Sequence, residues 1–319
     1  MAAQGGRNGQ AGQDGGTEGA GRVRERLSRI AAETVGIVDA GGYTTPSGRR
    51  VDIAEQVRRA VEGTVLHGPE PVDVIPAPTP APAAAGPAAA GAAGPGGGRA
   101  SLPARIEVTG ETTLVAARRL LAAGPGPVAA LNFASARWPG GGFLSGARAQ
   151  EEYLCRLSAL YACLVGVDAY YQPHNAAGTS LYSDRVLHSP AVPVFRDDDF
   201  SLLAEPVEVG ILTAAAPYAT GLAQDEPHLL PLLPATFQSR CRQVLAVAAR
   251  HGYRRLVLGA WGCGAFGNDP AVVAAAFAGL LLPGGAFADH FDEIVFAILR
   301  QYESESGAGQ VFATALGVA

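Results

Sequence analysis

Two glutamates side by side, Glu151 and Glu152, close a Gln-Glu-Glu triplet separated by seven residues from three consecutive glycines, Gly140, Gly141 and Gly142. Two carboxyls in one first helical turn are candidates for acid–base work on a bound ligand. The glycines strip a stretch of backbone of side chains, so its N–H and C=O groups can come close to a ligand. Either feature alone reads as structure: a glycine run makes a turn, and carboxylates in a first helical turn are favoured by the helix dipole. Here both follow the apolar run PVAALNF at 127–133, which reads as a buried strand. In open α/β sheets ligands sit beyond the carboxyl ends of strands, so this loop is expected over a binding crevice.

A second glycine-rich stretch, LVLGAWGCGAFGNDP, spans 256–270. Gly259, Gly262, Gly264 and Gly267 follow another apolar run and can form a nest of N–H groups for phosphate oxygens, or simply a tight turn. No Gly-Lys-Ser/Thr follows and the spacing is not Gly-x-Gly-x-x-Gly, so neither nucleotide signature applies. Cys263 lacks a paired histidine and reads as a small space-filler. Asp197, Asp198 and Asp199 suggest a metal, but consecutive carboxylates alternate direction in a strand, and His188 and Asp184 lack ligand spacing. They read as a solvated hairpin tip, and His174 as structural; no metal and no cofactor is called for.

Positioning these loops requires alternating strands and helices, and the pattern supplies them. Strands are expected at 105–108, 127–133, 169–171, 191–195, 208–215, 254–258 and 293–299. Helices are expected at 111–123, from 146 or 147 to 165, at 236–251 and at 272–282. Runs such as VEVGIL bounded by turns are what a sheet covered on both faces needs, so the fold class is α/β, a three-layer α/β/α sandwich over 102–301. Before it, 22–66 reads as a helical extension: one helix over 22–39, a loop, then a helix capped by Asp52 with Glu55 and closed by Gly63. Residues 1–21 read as a disordered tail, and 302–319 as a C-terminal tail. Residues 76–98 hold ten Ala, six Pro, six Gly and one Thr, a composition that builds no core.

The chain has 319 residues, 42 Gly and 23 Pro, with 24 Lys plus Arg against 29 Asp plus Glu, a net charge of −5. That balance argues against general nucleic-acid binding. No run of 18 apolar residues is present and the first residues hold no signal-type apolar stretch, so no membrane partner and a cytoplasmic location are expected. Four scattered cysteines fit a reducing compartment. Monomer is the default assembly.

The segment NFASARWPGGGFLSGARAQEE, with Leu154 and Arg156 following, resembles the signature of the poly(ADP-ribose) glycohydrolases, in their compact bacterial type. TTPSG at 44–48 and RVLHSPAVPVFRDDD at 185–199 are also similar. The resemblance implies a macrodomain core with a mixed sheet that binds ADP-ribose. It implies Glu152 as catalytic acid, Glu151 on the ribose hydroxyls beside the scissile bond, and the glycines with Phe143 around distal ribose and diphosphate. Gly259, Gly262, Cys263, Gly264 and Ala265 would form the diphosphate loop, with Phe266 near the ribose, and Asn132, Ser135, Trp138 and Gln150 would border the ligand. The substrate would be poly(ADP-ribose) or ADP-ribosylated protein, and the product ADP-ribose. Two departures stand out: Trp138 replaces an Asn of the family pattern, and Ser135 stands where related macrodomains often place an Asn. A hydrolase of single ADP-ribose attachments, or a module that binds without cleaving, shares the same loops. Terminal cleavage is favoured if the N-terminal extension closes one side of the pocket.

Overall fold

A computed structural model of the chain describes residues 14–73, 104–299 and 307–318. The Ala/Pro/Gly segment at 76–98 and the first thirteen residues of the expected tail lie outside them. A seven-stranded sheet organises the rest, built from β3 (Val65–His67), β4 (Arg105–Thr109), β5 (Val128–Phe133), β6 (Val186–Arg196), β7 (Leu202–Ala214), β8 (Arg255–Leu258) and β9 (Glu293–Ala297). The order across it is β3-β6-β7-β5-β8-β9-β4, and only β6 runs against its neighbours. β5 pairs in parallel with both β7 and β8, which puts three carboxyl ends side by side.

Alternation along each strand fills two cores. Ala129 and Leu131 of β5, Leu256 and Leu258 of β8, and Ile294 and Phe296 of β9 face one layer. That layer holds α8 (Leu233–Arg250) and α9 (Pro270–Leu281), and the short α7 (Ala219–Asp225) precedes α8. Val128, Ala130, Val257 and Val295 face the other, with α3 (Thr113–Ala123) and α4 (Gln150–Leu157). Because both faces are covered, 128–131 of β5 and 256–258 of β8 are apolar on both sides of the sheet.

Several elements differ from the sequence pattern. The long helix expected up to 165 is α4 followed by α5 (Leu160–Leu164), broken at Ser158, whose backbone is extended and bridges Val194. Ser158 Oγ donates to the Leu154 carbonyl at 2.7 Å and accepts from the Leu160 amide at 3.2 Å, so the side chain takes over backbone bonds the helix would have made. The strand expected at 169–171 lies inside α6 (Asp168–Ala177), where Tyr170, Tyr171 and His174 form a buried helical face. A short aromatic run fits either period until its neighbours select one.

The N-terminal region is not purely helical. α1 (Asp14–Asp39) starts inside the expected tail, since adding turns to an existing helix needs no new nucleus. Its loop is a hairpin of β1 (Gly42–Thr44) and β2 (Arg50–Asp52), and β3 joins the main sheet. α2 (Ala54–Glu62) has no capping box: Asp52 accepts from the Ala54 amide at 2.9 Å, and Glu55 turns to Arg58. The expected C-terminal tail contains α10 (Ala308–Leu316), which packs on α9 and buries Phe312 fully against Phe296. Among the described residues no helix is long and apolar enough to cross a membrane.

Candidate active site

The loops after β5, β7 and β8 converge on one carbonyl. The Ala214 oxygen, at the end of β7, accepts from the Ala134 amide at 3.1 Å and from the Trp261 indole N–H at 3.2 Å. Trp261 is fully buried, so it anchors the β8 loop much as the sheet anchors β5.

The glutamates lie beneath the glycine loop, almost wholly removed from solvent. Glu151 Oε2 accepts from the Ser135 amide at 2.7 Å, and its Oε1 from Asn132 Nδ2 at 3.2 Å. Glu152 Oε1 accepts from the Gly142 amide at 2.8 Å, and its Oε2 from the Ala149 amide at 3.0 Å. Glu152 therefore caps its own helix by reaching back one turn, which fixes where α4 begins and leaves 146–149 as loop. Gly141, at φ +55°, stands over both: a Cβ there would lie 2.5 Å from Glu152 Oε1 and 3.1 Å from Glu151 Oε2.

Other expected site residues support this pair from behind. Asn132 is buried, donates also to Thr213 Oγ1 at 3.2 Å, and its Oδ1 has no hydrogen-bond partner. Ser135 Oγ accepts from the amides of Arg137 at 3.2 Å and Trp138 at 3.1 Å, holding the turn that presents the Ser135 N–H. Two expectations are corrected. Phe143 is fully buried, with its ring 4.9 Å from that of Tyr161, so its side chain belongs to the core and not to the ligand. Gln150 is spent on the protein: it accepts from the Phe133 amide at 2.9 Å and donates to the Leu131 carbonyl at 2.8 Å and Thr113 Oγ1 at 3.0 Å. It stitches the end of β5 to α3. Gly140 is wedged against Tyr161 and Cys155, and Trp138 stands 67% exposed at the rim.

Helix α1 backs the glycine loop from outside. Arg24 Nε donates to the Ser145 carbonyl at 2.8 Å, and Ser28 Oγ to Leu144 at 2.6 Å. Arg156, fully buried, donates to the carbonyls of Leu27 at 3.2 Å, Phe143 at 3.3 Å and Ala147 at 2.7 Å. One guanidinium thus ties α1, the glycine loop and α4 together.

In the β8 loop, Gly262 at φ +73° leaves room for Ala216 and Asn268; a Cβ would meet them at 2.5 and 2.7 Å. Gly259 packs on the Ala297 carbonyl, while Gly264 and Ala265 are exposed at the tip. The Cys263 thiol is pushed up to about 12, first by burial and then by Asp269, which suits a filler and not a nucleophile. Sequence reasoning missed two parts. Asn268 is buried and donates to Pro217 at 2.8 Å and Gly262 at 2.9 Å. The β7 loop at 215–220 brings Tyr218 to 5.3 Å from the Phe266 ring. That loop is held by the buried Arg240, which donates to Ala215 at 2.9 Å and pairs with Asp184 at 3.0 Å. The run Pro217-Tyr218 straight after a strand was the available signal. Asp197 pairs with Arg118 at 2.8 Å, and Asp198 accepts from Thr112 at 2.8 Å. His174 bonds Ser183 Oγ at 2.6 Å.

Burial pushes the Glu151 carboxyl up to about 8 from an ordinary 4.5; its Ser135 and Asn132 bonds oppose the rise, and the Glu152 charge adds to it. The native state therefore binds a proton that the unfolded chain releases, so this group's stabilising share is full below about 4.5 and is lost as pH rises through about 8. Glu151→Gln removes that dependence, because the amide does not titrate. Its Tm relative to wild type is expected to climb by several degrees, roughly 5 °C, between pH 5 and pH 9. A difference constant with pH sinks the assignment.

The profile of the microbial-type PARG catalytic domain matches residues 31–197. The chain belongs to the microbial poly(ADP-ribose) glycohydrolase (PARG) family. Among solved structures, the PARG of Thermomonospora curvata is 48% identical, with 91% of this chain and 99% of that chain covered at a TM-score of 0.78. The same PARG bound to the inhibitor ADP-HPD matches at 47% identity, 91% and 99% coverage, and a TM-score of 0.77. The PARG of Deinococcus radiodurans in complex with ADP-ribose is 46% identical over 68% of this chain and 86% of that chain, with a TM-score of 0.63. A search of curated protein sequences returned no match. The family match covers α4 and the glycine loop but ends before the β8 loop, so the PARG structures alone extend the likeness to the second half of the crevice.

Proposed function

We propose that this chain hydrolyses the ribose–ribose O-glycosidic bond of poly(ADP-ribose), releasing ADP-ribose from the chain terminus, with Glu152 as general acid and then base. The observation that carries this reading is the carboxyl pair itself. Two adjacent glutamates, each held by two N–H donors, lie under a glycine loop at the meeting point of three strand ends.

The leaving group is the adenosine ribose hydroxyl of the next unit, which needs a proton as the bond to the anomeric carbon breaks. Burial lifts Glu151 to about 8, so near neutral pH it holds a proton in the free protein. Ribose hydroxyls donating to Glu151 favour its charged form, in which it orients the sugar, and Glu152 takes the role of the acid. Glu152 gives a proton to the departing oxygen. The oxocarbenium-like sugar is then stabilised by Glu151 and by the ligand's diphosphate on the β8 loop. A water attacks the anomeric carbon and returns its proton to Glu152. Ordinary glycosidases use two separated carboxyls; here one serves in both steps and its neighbour orients the sugar. The packing of α1 against Leu144 and Ser145 closes one flank of the crevice, which supports attack at a chain end.

The test is incubation with poly(ADP-ribose), and separately with mono-ADP-ribosylated protein and DNA, followed by assay of free ADP-ribose. Release from chains alone is expected. Release from single attachments at a comparable rate, or from none of the substrates, overturns the reading.

A further inference from the structure

Two tryptophans occur in the chain, and they are treated in opposite ways. Trp261 is fully buried, whereas Trp138 is 67% exposed. Exposure of so large an apolar ring is costly unless something covers it in use. Its backbone is nonetheless fixed: its amide donates to Ser135 Oγ at 3.1 Å, and its carbonyl accepts from the Gly141 amide at 3.0 Å. Those two residues are the ones on the carboxyls, since Ser135 N–H holds Glu151 and Gly141 covers both glutamates. Trp138 therefore presents a solvent-facing ring from backbone that lies one hydrogen bond from each arm of the site.

Cations flank the same rim. Arg137 precedes Trp138, is exposed, and lies close enough to Tyr182 for its charge to act on that hydroxyl. Arg148 precedes Ala149, whose amide holds Glu152; it is exposed and makes no ion pair among the described residues. In a chain of net charge −5, arginines at this mouth suit an anionic ligand.

Resting on the proposed activity, we infer that Trp138, with Arg137 and Arg148, forms a subsite for the leaving side of the substrate, where its indole stacks on the adenine of the adjoining ADP-ribose unit. In poly(ADP-ribose) the oxygen that departs belongs to an adenosine, so a base and its phosphates lie just beyond the scissile bond. An exposed ring with nearby guanidinium groups has the chemistry to hold a nucleotide without reading its identity. A single ADP-ribose attached to a side chain offers no base at that place, so the subsite favours chains.

The test uses free oligo(ADP-ribose) chains, which excludes any contribution from a carrier protein, and compares wild type with Trp138→Ala and Trp138→Phe. For Trp138→Ala, KM for the chains is expected to rise about tenfold with kcat little changed, while Trp138→Phe recovers most of the loss. The Kd for ADP-ribose, which fills only the other side of the bond, is expected to stay within about twofold of wild type. An unchanged KM, or an equal loss of ADP-ribose affinity, overturns the subsite. Wild-type protein that releases nothing from the chains overturns the activity instead, so the two failures are distinct.

Discussion

Glu152→Gln is expected to lower ADP-ribose release from poly(ADP-ribose) by roughly 10³-fold while ADP-ribose still binds. The amide keeps the shape of the carboxyl but has no proton to give at any accessible pH, so the leaving hydroxyl must depart unassisted. The substitution is not silent in the protein. Glu152 accepts from two amides, Gly142 at 2.8 Å and Ala149 at 3.0 Å, and a Gln can accept from only one of them with its oxygen. Its NH₂ then faces the other N–H, which costs about 1–3 kcal/mol and lowers Tm by several degrees. Calorimetric titration with ADP-ribose and a thermal melt therefore accompany the rate measurement. Lost turnover with retained binding and a folded protein is the expected pattern; hydrolysis near the wild-type rate sinks the role given to Glu152.

The second large effect belongs to a residue with no side chain. Gly141→Ala would place a Cβ 2.5 Å from Glu152 Oε1 and 3.1 Å from Glu151 Oε2, in a backbone conformation that L-residues rarely adopt. Neither carboxyl can step aside without giving up amide bonds, so the loop must lift or the glutamates must turn. A misplacement near 1 Å at the reacting groups costs about 10²-fold in rate, and that is the fall in kcat expected here. Left-handed strain alone is separated by Gly252→Ala, which shares a positive φ of +76° but has no atom within 4 Å of the added Cβ. Gly252 follows α8, away from the strand ends that carry the glutamates. Both variants are expected to lose about 1–2 kcal/mol of stability from that strain, but only Gly141→Ala loses activity. Equal turnover in the two would remove the glycine loop from the catalytic geometry.

Much of the site was legible because its signals are local. Gln150-Glu151-Glu152 sits at a helix start, where carboxylates are favoured. The apolar runs at 128–131 and 256–258 are strands because a sheet covered on both sides favours apolar residues at successive positions. The misreadings share another origin. The resemblance put Phe143 beside the ligand, yet its ring is drawn inward by Tyr161 and Arg156, which come from beyond α4's start. Ser158 breaks a helix that its neighbours' period continues, because Val194 offers a bridge from another strand. The pattern gave residues 308–316 no role, since nine residues with an apolar face gain stability only from the surface they cover.

From the sequence alone came the proposed reacting groups, the glycines beside them and the alternation of strands and helices that sets both after a buried strand. These rest on residue types and short periods, which act within a few positions of one another. Only the tertiary structure decided which N–H groups hold each carboxyl, that Gln150 works for the protein, and that the β7 loop and α1 complete the walls. Those outcomes depend on pairs as remote as Arg24 with Ser145 and Trp261 with Ala214, and no local pattern encodes the distance between them.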